Sequence, residues 1–189
     1  MRKLVVVLLA GIVLSGCFGD KEYKVGDRGP AGGTIFYVAS EPFLCGQGMN
    51  ALCTYLEAAP AQAVQLLPWS EEAHLDENMK NGAAGSAIGT GWQNTVDILA
   101  QGNTDPTKSA AAYAAAYEFG GMSDWFLPAK DALYEIYEQS TLLSAAMTVN
   151  YWSSTEADGN TSWNTSFVTG YQSRAMKFNL AGSWPVRAF

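Results

Sequence analysis

From Tyr151 to the C-terminus, apolar and polar residues alternate in short runs: YWSST, TSWNTSFVTG, SRAMKFNL and SWPVRAF. Residues i and i+2 share one face of a strand, so such runs require extended chain with one buried side. The spacing predicts a meander of antiparallel strands that closes the domain. Upstream, TIFYV (34–38), TYLEAAP (54–60) and SDWFLP (123–128) also read as strands. Helical signals lie between them. Asn94 is placed to cap TVDILAQ, and Asp105-Pro106 opens PTKSAAAYAAAYEFG, where Gly120 follows an alanine-rich run. AKDALYEIYEQS carries Leu133, Ile136, Tyr137 and Ser140 on one helical face. Strand, loops, helices and a run of strands in that order predict the α+β class. Hydrophobic residues make up 48% of the 189, which excludes a disordered chain. No Pro-rich linker or internal repeat interrupts 25–189, so one domain is expected there.

The first twenty residues, MRKLVVVLLAGIVLSGCFGD, follow different rules. Arg2 and Lys3 precede an unbroken apolar run from Leu4 to Leu14. As a helix that run would span roughly 16 Å, about half a bilayer core, so it reads as an export signal and not as a membrane span. Leu14-Ser15-Gly16-Cys17 resembles a bacterial lipobox. The resemblance implies a signal peptide over 1–16, cleavage before Cys17, diacylglycerol on its sulfur and acylation of the new N-terminus, with 17–24 as a lipidated tether. Several acyl chains hold firmly, each buried CH₂ contributing about 0.8 kcal/mol. Phe18, where Asp often resembles an inner-membrane retention signal, favours the outer membrane of a Gram-negative envelope.

Losing Arg2 and Lys3 with the leader takes the formal net charge from −7 to −9. Such a domain is a poor partner for nucleic acid, heparin-like polymers or anionic lipid. Arg174, Lys177 and Arg187 read as scattered surface charges. With Cys17 lipidated, Cys45 and Cys53 remain, and the oxidising compartment predicts a disulfide that pins a short loop. No histidine lies near the two thiols to make a metal site with them.

Seven stretches in order, GPAGGTIFYV, YLEAAP, IGTGWQNT, GGMSDWFLPAKDALYEIY, YWSSTE, SWNTSF and VRAF, span nearly the whole mature chain. Together they resemble the Lcl C-terminal domain family, named for a bacterial collagen-like adhesin. The resemblance implies a C-type-lectin-like fold, an exported or surface setting, and binding without catalysis. Ala129 and Ala132 stand where the family often has Ser and Glu, and the acidic balance does not suit a sulfated polysaccharide.

Several side chains could carry chemistry. In TSWNTS, Thr165 follows Trp163-Asn164 where calcium-dependent lectins close with an acid, so calcium-dependent sugar binding is not expected. Glu156 and Asp158, with Trp163 and Asn164, are expected to line a loop surface over 155–164; Trp152 and half of this segment should pack inward while the acids and amides face water. Trp92, in the loops between 60 and 92, could stack on the C–H face of a sugar ring. Asp124 is expected to hold backbone N–H groups at a glycine turn, and Asp131 to favour the first turn of a helix. The single histidine, His74, lacks the serine context of a hydrolase, and no cysteine follows Cys53 for formylglycine-type chemistry. The expectation is a lipid-anchored, non-enzymatic envelope domain with no cofactor, which binds a glycan or a protein partner. A structural lipoprotein without a small ligand is the second reading, and a hydrolase the third.

Overall fold

The computed structural model describes residues 21–71, 81–146 and 148–189. The leader 1–16, Cys17 and His74 lie outside the described residues. Strand β1 (Thr34–Cys45) pairs antiparallel with β2 (Ala51–Ala58), the two joined by a short turn at Gln47–Met49. Farther along come β3 (Gln65–Leu67), helices α1 (Gly91–Ala100), α2 (Ala110–Ala116) and α3 (Lys130–Glu138), then β4 (Asn150–Glu156), β5 (Thr161–Ser166), β6 (Gln172–Met176), β7 (Ala181–Ser183) and β8 (Val186–Ala188). The strands form two sheets, ordered β1-β2-β8 and β3-β7-β4-β5-β6. The α+β class follows.

The C-terminal meander extends only over β4, β5 and β6. Instead of continuing it, β7 returns beside β4 in parallel, with Tyr151 opposite Gly182, and β8 crosses to β2 in the other sheet. Two residues explain the crossing. Pro185 has no N–H to extend the ladder. Trp184 is fully buried and donates its indole N–H to the Ala59 carbonyl at 2.8 Å, which ties the crossover to the end of β2. Gly182 admits the parallel pairing, because a Cβ there would stand 2.5 Å from the Tyr151 ring.

SDWFLP is not a strand. Phe126 exchanges both backbone hydrogen bonds with Val186, but Leu127 N–H then turns to Thr95 Oγ1 at 3.1 Å and the ladder stops. Helix α2 starts four residues later than Pro106 suggested. The Asp105 side chain accepts from Thr107, closing a separate turn, and Ser109 then caps the alanine run afresh by accepting from Ala112 N–H. Asn94 is no cap either. It lies inside α1, buried, and its carboxamide clasps both backbone groups of Gly85.

Two apolar clusters fill the interior. The larger joins both sheets to α3 through Phe36, Leu56, Leu133, Ile136, Tyr151 and Trp184. The smaller gathers Trp69, Ile98, Leu127, Trp152 and the alanines of α2, whose missing bulk lets that helix lie close against the two tryptophans. No helix among the described residues is long and apolar enough to cross a membrane.

Candidate functional site

The sequence-predicted residues separate into three places. Glu156, at the end of β4, is buried and does not face water. Its carboxylate receives the Lys177 ammonium at 2.6 Å, the Asn81 backbone N–H on both oxygens at 2.9 Å, the Asn81 carboxamide at 3.0 Å and the Gly82 N–H at 3.2 Å. Four of those contacts come from the Asn81–Gly82 segment, so Glu156 anchors the loop that enters α1. Asn164 is buried as well, accepting from Ser173 Oγ at 2.9 Å. Both corrections have one physical origin. β4 and β5 are inner strands, β4 buried on both faces and β5 on the face that carries Asn164, and the polar side chains between their aromatics bond to neighbouring elements. Thr155, for example, bridges the Gly85 carbonyl and the Lys130 N–H.

Asp158 and Trp163 do meet, at Arg174. Asp158 closes its own turn by accepting from Asn160 and Thr161 N–H, and faces Arg174 at 3.7 Å. The half-buried Trp163 ring has Lys130 Nζ at 4.5 Å from its centroid and the Arg174 guanidinium at 5.5 Å. Two cations already occupy that indole.

Trp92 lies elsewhere. Gly91 lets the start of α1 press against Phe126, since a Cβ there would stand 2.8 Å from the ring. Trp92 then meets Phe126 edge to face at 6.0 Å. On the other side, Gln93 accepts the Gly48 N–H at 2.9 Å and docks the β1–β2 turn against the helix. Between them opens a cleft of about 190 Å³ walled by Trp92, Phe126, Asp124, Gln47 and the Cys45–Cys53 disulfide, which the structure forms as expected. Four other indoles, Trp69, Trp125, Trp152 and Trp184, donate to backbone carbonyls. The buried Nε1 of Trp92 has no partner among the described residues.

Asp124 corrects a further expectation: it pairs with Arg187 and not with backbone. Arg187 gives Nε and Nη2 to the two carboxylate oxygens at 2.8 and 2.9 Å, and Nη1 to Glu57 at 3.2 Å. Arg187 is buried, not scattered on the surface, and Lys177 is fully buried too. Asp124 stays 43% exposed, so its remaining lone pairs open on the cleft side. Sequence reading missed Glu57, Asn81, Asn103 and the inward Lys177. The alternation in β6 did carry a signal for the last. Arg174 and Met176 are exposed while Ala175 packs inward, so i+2 from Ala175 places Lys177 on the inner face. A wider depression of about 520 Å³ beside Tyr23, Tyr55 and Phe189 is partly walled by Lys21 and Glu22.

A fimbrial protein from Bacteroides ovatus is similar in structure, with a TM-score of 0.54 at 14% identity over 83% of this chain and 44% of its own. This chain thus spans less than half the length of that protein, and the likeness is one of fold alone. No family model and no curated protein matches the chain.

Proposed function

We propose that this chain is a lipid-anchored envelope domain of C-type-lectin-like fold, a relative of the Lcl C-terminal domain family, that binds a glycan without catalysing its conversion. The observation that carries the reading is Trp92 in the wall of a cleft of about 190 Å³, its buried indole N–H without a partner among the described residues. The donor is buried, so a ligand hydroxyl reaches it once the Trp92 ring turns toward the cleft, and accepting from it there recovers the roughly 1–3 kcal/mol that an unpartnered buried donor costs. Phe126 and the disulfide supply apolar wall, and Asp124, held rigid by Arg187, offers free lone pairs to sugar hydroxyls. The likeness to a fimbrial protein agrees with a surface setting.

The test is a glycan array probed with wild type, Trp92→Ala and Trp163→Ala. Binding lost in the first variant and kept in the second is the expected result, and Trp92→Ala binding like wild type rejects the cleft. Cys17→Ser should move the protein from the detergent phase to the aqueous phase on Triton partitioning; unchanged partitioning rejects the anchor. A second reading, an interaction lipoprotein without a small ligand, is favoured by one feature. Val168, Tyr171, Met176, Phe178 and Leu180 are exposed on and beside the edge strand β6. A protein partner captured equally by wild type and Trp92→Ala, with an empty array, would select it.

A further inference from the structure

We propose that Lys177 and Asn81 join in an intramolecular amide bond, formed by the chain itself with Glu156 as proton carrier. The Lys177 side chain is fully buried, and its hydrogen-bond partner is Glu156 Oε1 at 2.6 Å. Beyond that it faces the Trp69 ring, 4.8 Å from the centroid. The Asn81 carboxamide donates to the same Oε1 at 3.0 Å, so amine and amide are gathered on one carboxylate oxygen. On its other side the Asn81 carbonyl oxygen accepts from Asn103 Nδ2 at 3.3 Å. Asn103 is itself fully buried and held by Ser70 Oγ at 2.7 Å. A nucleophile, a base and a polarised carbonyl thus share a water-poor interior, and holding reactants together in this way replaces much of the entropic cost of their reaction.

The step balances without any co-reactant. The ammonium passes a proton to the Glu156 carboxylate, and the free amine attacks Cγ of Asn81. A C–N bond forms as the carbonyl electron pair moves onto Oδ1, where the Asn103 N–H stabilises the charge. Glu156 gives its proton to Nδ2 and takes one from Nζ. The Cγ–Nδ2 bond breaks, ammonia leaves with the electron pair, and Glu156 ends protonated, donating to the new amide. Two buried charges become two neutral groups, which removes their desolvation penalty. The product ties the Asn81–Gly85 loop to the strand end at Lys177, independently of what binds at Trp92.

Peptide mapping of the purified full chain, reduced and digested with trypsin, tests this. The bond predicts one branched species joining 81–108 to 175–187, uncut after Lys177 and lighter than those two peptides together by one ammonia. Glu156→Gln, which keeps the side chain's shape, should yield only the separate peptides, while Ser173→Ala, outside the cluster, should yield the branched species. Separate linear peptides from wild type overturn the proposal. So does a missing ammonia confined to 81–108, the mark of a cyclic imide at Asn81-Gly82.

Discussion

Glu57 shows how one side chain holds distant turns together. It is fully buried, accepts the Ala31 and Gly33 N–H groups at 3.3 and 2.7 Å, and receives Arg187. Gly33 has no room for a side chain, since a Cβ would stand 2.2 Å from the Ala58 carbonyl oxygen, so the turn cannot shift to find other acceptors. Glu57→Ala therefore leaves two turn donors and part of a buried guanidinium unpaired and should cost about 3–5 kcal/mol, read as a fall in the urea midpoint. Asp105 makes a different statement, about pH. Hydrogen bonds from the Thr107 hydroxyl and N–H, then Lys108, lower its pKa from 3.8 to about 2. Its folded value lies below its unfolded one, so its contribution is present at neutral pH and is lost as pH falls from about 4 through about 2. Asp105→Asn should flatten that part of the acid-unfolding curve without changing the neutral-to-alkaline limb.

At the scale of elements, the disulfide locks the end of the β1–β2 hairpin and forms one wall of the Trp92 cleft. For so short a loop the chain-entropy model gives about 2–3 kcal/mol. Paired Cys45→Ser and Cys53→Ser substitution should lower Tm by that equivalent and weaken ligand binding as well; unchanged binding would mean that the hairpin end is not part of the site. Existence and type of most elements were legible in the sequence: the alternation of β4 to β6, the apolar face of α3 and the first-turn Asp131 all stand in the structure. Less legible was the partner of each strand. Nothing local in SWPVRAF says that β7 and β8 belong to different sheets, because the cause is Trp184 reaching Ala59, far away in the chain. The Asp105 turn and Ser109 cap were misread because Pro106 is an equally good first helical residue, and local propensity alone does not choose between them.

For the whole molecule, burial decides which polar residues are available to a ligand. Glu156, Asn164, Lys177 and Arg187 were read as exposed because charged and amide side chains usually are. Here two sheets and three short helices enclose them, and the interior is stitched by carboxylates that each gather several donors. Of the residues expected to meet a ligand, Trp92 lines a cleft, and it does so beside Asp124, whose role was assigned to backbone. The most direct test of that account is a ¹H–¹⁵N spectrum of the six indole N–H groups, titrated with the glycan selected by the array. The account predicts that the Trp92 resonance moves and saturates while those of Trp69, Trp152 and Trp184, each bonded to a buried carbonyl, stay in place. A ligand that binds and leaves the Trp92 resonance unmoved would contradict it.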